Sequence, residues 1–330
     1  MSDKLIEVIS LTKKFPIESG IISTISNKLL GRKPRYIHAV NDVTLEIFKG
    51  ETLGLVGESG SGKSTLGKCV IRLIDPTAGK ILFDGVDITK LNYGEMRRYR
   101  RRMQIIFQDP YSSLNPRKTV GNIIKHMLEL HNIASGEDAK RKVTEILELV
   151  GLSREHYNRY PHQFSGGQRQ RIAIARAIAI QPEFIVADEP VSALDVSVQS
   201  QILNLLIELK KKFNLTYLFI SHDLGVIRYV SDRVAVMYLG KILELSSTER
   251  LYSSPMHPYT QSLLSAVPIP DPDISRNRII LKGEIPSPIS LPSGCVFHTR
   301  CPYVFNECKS IEPKFIEVKD GHYVACHLYK

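Results

Sequence analysis

The 330-residue chain has no apolar run approaching the roughly 20 residues a membrane-spanning helix requires. Its opening residues, Met1 to Val8, lack the basic-then-apolar pattern of a signal peptide. The expectation is a chain in the cytoplasm that meets a membrane only through partners. Cysteine is scarce, five in all: Cys69 stands alone, and Cys295, Cys301, Cys308 and Cys326 crowd into the C-terminal tail. No C-x-x-C pair occurs among them, which weakens a zinc-ribbon reading. There is no internal repeat and no recognisable nucleic-acid module.

What is present describes an ordinary globular protein, with 43% hydrophobic and 24% charged residues, long enough for two domains. The net charge of +10 raises nucleic acid or an anionic surface as partners. However, the densest basic run, Arg97 to Arg102, is most simply a solvated helix face. Cys69 reads as a small buried apolar residue.

Apolar periodicity predicts edge strands at residues 5–11 and 40–47 and a buried strand at 52–56, then a helix from Lys63 to Ile74. An insertion at residues 16–35 carries Ile21, Ile22, Ile25 and Leu29 at the spacing of a short amphipathic helix. Between about 110 and 165 the pattern turns helical, with Val143, Ile146, Leu147 and Val150 on one face and Gly151 where a helix would end. Strands at 184–187 and 217–220, a helix at 198–211 and a hairpin turning at Leu239–Gly240 complete an α/β core. Dense proline beyond residue 250 marks a linker and a separate, loop-rich C-terminal domain. The expected division is 1–109 with 166–249 as the α/β core with edge strands, 110–165 as a helical subdomain, and 250–330 as a C-terminal extension.

Gly57, Glu58, Ser59, Gly60, Ser61, Gly62, Lys63 and Ser64 match G-x-x-x-x-G-K-[ST], between the predicted strand and helix that this motif needs. Glycines let backbone N–H groups close around phosphate, and the helix N-terminus faces the anion. Lys63 would reach the β- and γ-phosphates of ATP, Ser64 would ligate Mg2+, and Thr65 would contact the α-phosphate. Asp188 and Glu189 close an apolar strand, at the edge where α/β folds bind ligands. Taken alone, that pair is an acidic turn before Pro190. Ser165, Gly166, Gly167 and Gln168 would cap a helix running to about Ala179 and also open backbone to an anion.

A P-loop, then Ser-Gly-Gly-Gln, then an apolar strand ending in Asp-Glu, in this order, resembles the ATP-binding-cassette ATPases over roughly the first 245 residues. That resemblance implies a P-loop NTPase fold with a helical insertion. It makes Glu189 the general base for the attacking water and gives Asp188 the Mg2+ and its waters. Gln108 matches the Q-loop glutamine, a Mg2+ ligand that also reports on the membrane partner. His222 matches the switch histidine at the γ-phosphate, and Asp195 the D-loop. Ser165 to Gln168, with Asp195, would face the ATP of a second cassette, ATP closing the dimer and hydrolysis releasing it. Phe15 sits where the family often stacks adenine, with Tyr36 its competitor.

His257-Pro258-Tyr259-Thr260 and Leu263 to Pro268 look like the C-terminal extension of dipeptide and oligopeptide importer ATPases. The stretch Phe107 to Arg117 looks like the F-type member of their paired D and F subunits. The resemblance thus implies an ATPase powering import of dipeptides or oligopeptides from the cytoplasmic face of the membrane. Its partners would be two transmembrane permease subunits, a D-type sister ATPase and an extracytoplasmic binding protein, with no nucleic acid. Oligosaccharides, nickel or glutathione are alternative cargoes, and a soluble ATPase of DNA repair or translation, or an iron–sulfur redox sensor, are rival readings. The resemblance also implies that Cys295, Cys301, Cys308 and Cys326 hold a [4Fe–4S] cluster. Zn2+ is one alternative, with His298, His322 and His327 close enough in sequence to share it; unmetallated or disulfide-linked cysteines are another.

Overall fold

The structure, a computed structural model, describes residues 3–17, 35–267 and 279–329. The amphipathic helix expected around Ile21 to Leu29 lies outside the described residues, as do Pro268, Pro270 and Pro272 of the expected linker. The chain divides into two compact units, each assembled from separated segments. The first takes Ile47–Thr52 and Lys90–Ser221; the second takes Lys4–Glu46, Leu53–Thr89 and His222–Lys330.

The first unit is built on three parallel strands, Met103–Ile106, Phe184–Asp188 and Thr216–Ile220, paired in that order. The latter two are buried throughout, which is why they read as unbroken apolar runs rather than alternating ones. Residues 110–165 are helical as expected: Pro110–Ser113, Val120–Leu130 and Gly136–Leu149, followed by two short 3-10 turns. The helix Gly136–Leu149 ends in a Schellman motif, with Gly151 N–H on the Glu148 carbonyl and Leu152 N–H on the Leu147 carbonyl. Gly151 has φ +75° there, the left-handed step that only glycine takes without strain. The arginine run belongs to the helix Tyr93–Arg102, whose buried side chains are Met96 and Tyr99; Arg97, Arg98 and Arg101 are exposed, the solvated face that was expected.

The second unit holds two sheets. In one, Lys4–Pro16 runs between Tyr36–Phe48 and Ala78–Phe83, with Val86–Asp87 at the edge. In the other, Thr52–Val56 pairs in parallel with Arg233–Tyr238, which turns through Leu239 and Gly240, both at positive φ, into antiparallel Lys241–Ser247. The tail supplies the next two strands, His322–Val324 and then Ile316–Lys319. The dipeptide Asp320–Gly321 joins them, with Gly321 at φ +66°, a hairpin signal present in the sequence and not read from it.

One predicted boundary moves. The helix expected to reach Ile74 stops at Val70. Arg72 takes the left-handed conformation, φ +52°, while its N–H bonds the Cys69 carbonyl and Leu73 N–H the Lys68 carbonyl. No glycine marks this stop. The arginine holds the turn through its side chain, bonding Asp75 at 2.6 and 3.1 Å and the Ile88 carbonyl at 2.7 Å.

Candidate active site

In the second unit the buried strand Thr52–Val56 delivers the chain to the Gly57–Ser64 loop, expected to bind phosphate, and the helix Lys63–Val70 leaves it. Gly62 stands at the helix N-cap with φ +105°. A Cβ there would lie 2.0 Å from the Ala39 carbonyl oxygen, so no other residue fits this position. Lys63 is buried, and its ammonium donates to the carbonyls of Gly57 (2.7 Å) and Glu58 (2.9 Å). The loop thereby holds the cation within its own curve, where phosphate oxygens, being charged acceptors, would compete favourably for it.

Residues distant in sequence brace this loop. The Glu58 N–H donates to the Tyr259 hydroxyl at 2.8 Å. The Glu58 carboxylate receives both terminal nitrogens of Arg300, at 2.7 and 3.1 Å. Tyr259 is fully buried, its ring 4.8 Å from that of Tyr238 and 5.3 Å from that of Phe297. Sequence reasoning missed both contacts, because no local pattern encodes a pairing across some 200 residues.

In the first unit, Asp188 is buried at the end of its strand, in register with Ile220. Glu189 follows at φ +48°, a left-handed backbone that costs a non-glycine residue about 1–2 kcal/mol. Its N–H is held by the Ile220 carbonyl at 3.0 Å, while its carbonyl accepts from the Ser192 hydroxyl at 3.1 Å. These bonds fix the turn that lifts the carboxylate off the strand edge. Gln108 donates to that carboxylate at 2.9 Å, so the expected Q-loop glutamine and the expected general base are brought together. His222, the expected switch, is exposed just after the strand Thr216–Ile220. Next to it, Asp223 caps the helix Leu224–Val230 by accepting from Gly225 and Val226 N–H groups.

Ser165 caps the helix Gly166–Ile178 through a reciprocal capping box with Gln168, at 3.3 and 3.1 Å. Gly167 leaves room for Val198, whose Cγ1 would lie 2.4 Å from an added Cβ. Val198 belongs to the helix Val196–Phe213, capped by Asp195. Hydrogen bonds from the Val198 N–H and the Ser197 hydroxyl hold the Asp195 carboxyl below its ordinary pKa. The Ser-Gly-Gly-Gln segment and the D-loop aspartate thus cap two packed helices, with Ser165 and Gly166 exposed at the first turn.

Comparison with known proteins decides the family. Residues 40–192 match the family described as "ABC transporter", and residues 243–308 match "Oligopeptide/dipeptide transporter, C-terminal region". Over 99% of its length the chain is 53% identical to the oligopeptide transport ATP-binding protein AppF of Bacillus subtilis (strain 168), covering 98% of that protein. This chain belongs to the ABC transporter ATPases. A solved structure of the ATP-binding cassette MJ0796, dimeric and bound to ADP and Pi, is 30% identical with a TM-score of 0.64, covering 74% of this chain and 98% of that one. The cbiO1 structure from Clostridium perfringens, part of the ABC transporter complex cbiONQ, is 26% identical with a TM-score of 0.63, covering 76% and 92%. The α/β cassette fold and ATP hydrolysis follow from this membership.

In this ABC ATPase the tail cysteines do not display the expected metal centre. Burial pushes the Cys295 thiol up to about 12, and the charges of Cys326, Cys301 and Cys308 push it the same way. Cys326 is raised to about 11, again chiefly by burial, with Cys301 and Cys308 contributing. Even so, among the described residues no group of three or more His, Cys, Asp or Glu side chains is arranged to hold a metal ion. The histidines of the zinc alternative are engaged elsewhere: His298 with the Cys295 carbonyl, His327 with the Ile311 carbonyl, and His322 with buried Glu244, at 2.7–2.8 Å. Cys69 is buried, its thiol pushed up to about 11 by desolvation, which fits its apolar reading.

The two adenine candidates lie on neighbouring strands. Phe15 is half-buried beneath the Lys13 ammonium, 4.9 Å from its ring centroid. Tyr36 is exposed at the start of Tyr36–Phe48, the strand whose Ala39 carbonyl meets Gly62. Among the described residues, no helix is long and apolar enough to cross a membrane.

Proposed function

We propose that this ABC ATPase powers the import of dipeptides and oligopeptides. The observation that carries the reading is likeness along the whole chain to an oligopeptide transport ATP-binding protein, together with the matching C-terminal region. Gly57 to Thr65 hold the phosphates and, with Lys63 as the cation, balance their charge. Ser64, Gln108 and, through water, Asp188 would hold Mg2+, whose charge would offset that of the phosphates. Glu189 polarises the attacking water, His222 meets the γ-phosphate, and Phe15 or Tyr36 stacks on adenine. The bond from Gln108 to the Glu189 carboxylate supports this reading, since it ties the glutamine that senses the permease to the group that starts hydrolysis.

The exposed, capped first turn at Ser165 and Gly166 supports a role in trans on a second cassette, a D-type sister subunit. Two permease subunits anchor the pair at the cytoplasmic face of the membrane, and an extracytoplasmic binding protein delivers cargo. Residues 110–165 serve as the helical subdomain toward the permease, 1–109 with 166–249 as the nucleotide-binding core, and 250–330 as the extension. We further assign a [4Fe–4S] cluster to Cys295, Cys301, Cys308 and Cys326 in preference to zinc. The occurrence of all four cysteines within residues 295–326, without a C-x-x-C pair, supports it. Iron and acid-labile sulfide after anaerobic purification would bear this out; zinc without either would replace it.

The test of cargo is ATPase activity of the membrane complex isolated through a tag on this chain, reconstituted in liposomes with its binding protein. Peptide pools should stimulate turnover. Stimulation by oligosaccharides alone would keep the ATPase and overturn the peptide reading.

A further inference from the structure

The phosphate-binding loop contains a carboxylate, Glu58, where the ligand is a polyphosphate anion. An ionised side chain in that loop opposes binding unless its charge is met. In this structure a bidentate pair with Arg300 meets it, the guanidinium side chain 9% exposed and Glu58 26%. The Arg300 guanidinium carbon also lies 5.9 Å from the centroid of the Tyr238 ring. Glu58 is therefore held at three points: carboxylate by Arg300, N–H by Tyr259, and carbonyl by Lys63.

We propose that Arg300 and Tyr259 are positioning residues for ATP: they fix the loop at Glu58, and Arg300 cancels the charge that Glu58 would present to the phosphates. Both fall within residues 243–308, the stretch matched as the oligopeptide/dipeptide transporter C-terminal region. That region therefore has a function in nucleotide binding beyond closing the chain. Neither side chain touches the reacting atoms, so the benefit is shared by ground state and transition state and shows in KM rather than kcat. The inference rests on the assignment of this loop to ATP phosphates.

The test is steady-state kcat and KM for MgATP on the full transporter complex, in wild type and four variants. Arg300→Gln should raise KM roughly tenfold, as expected for an unpaired charge near the ligand, with kcat within about twofold. Arg300→Lys, which keeps the charge, should fall between the two. Adding Glu58→Gln to Arg300→Gln should restore most of the lost affinity, because the repelling carboxylate is gone. Tyr259→Phe, which leaves the Glu58 N–H without its acceptor, should raise KM by a smaller factor. A wild-type KM in Arg300→Gln, or a loss that Glu58→Gln does not recover, would overturn the proposal and leave Arg300 a packing residue. Wild-type complex with no ATP dependence at all would overturn the ATPase assignment along with it.

Discussion

At the residue scale, the proposed catalysis rests on Glu189, held by unusual backbone. Glu189 sits at φ +48°, and the Ile220 and Ser192 bonds that hold it there are independent of its side-chain charge. Glu189→Gln should therefore keep the turn and the Gln108 contact, since the amide oxygen still accepts. Turnover should fall about 100- to 10,000-fold, the range for losing a general base, while ATP still closes the dimer. Hydrolysis assays paired with ATP-dependent dimer formation check both halves; wild-type turnover would remove Glu189 from the role. Lys63→Ala should weaken ATP binding by removing the ammonium that the loop carbonyls hold in place. Titration with a fluorescent ATP analogue measures it, and unchanged affinity would refute the assignment.

Elements positioned the chemistry where the sequence allowed them to be read, and failed to be read where side chains did the work of glycine. The loop from Gly57 to Ser64 was legible because its flanking strand and helix have the required pattern. The N-cap at Ser165 was legible; its reciprocal bond from Gln168 was not read. The end of the loop's helix was not, since Arg72 occupies a left-handed position through bonds to Asp75 and Ile88. The brace of Glu58 by Tyr259 and Arg300 was equally hidden, because its partners converge only through packing around Tyr238 and Phe297. Ser165→Ala should cost about 1 kcal/mol in the stability of the unit carrying that helix, the usual worth of a cap. Chemical denaturation reads this directly, and an unchanged midpoint would show that the cap contributes nothing.

At the scale of the whole molecule, the tail is bound into the fold by buried polar groups as well as by strands. Glu244 is fully buried and accepts from the Met256 and His257 N–H groups and from His322. His257 is also buried, and desolvation pushes its pKa from 6.5 down to about 4, against an opposing pull from Glu244. The folded state thus keeps His257 neutral where the unfolded chain would protonate it. Between about pH 6.5 and pH 4 the unfolded state binds the extra proton, so stability rises with pH and is lost on acidification. The full shift corresponds to roughly 3 kcal/mol. His257→Asn keeps an acceptor for the Tyr259 N–H without titrating, so it should flatten that part of the pH profile. Urea melts at several pH values would show it, and an unaltered slope would contradict the assignment.

The central claim is that ATP hydrolysis by this chain drives peptide entry. The most direct measurement is uptake of a labelled oligopeptide into sealed vesicles holding the reconstituted complex, with the binding protein outside and ATP inside. The account predicts ATP-dependent accumulation with the wild-type chain and none with Glu189→Gln. Equal uptake by both, or uptake without ATP, would contradict it.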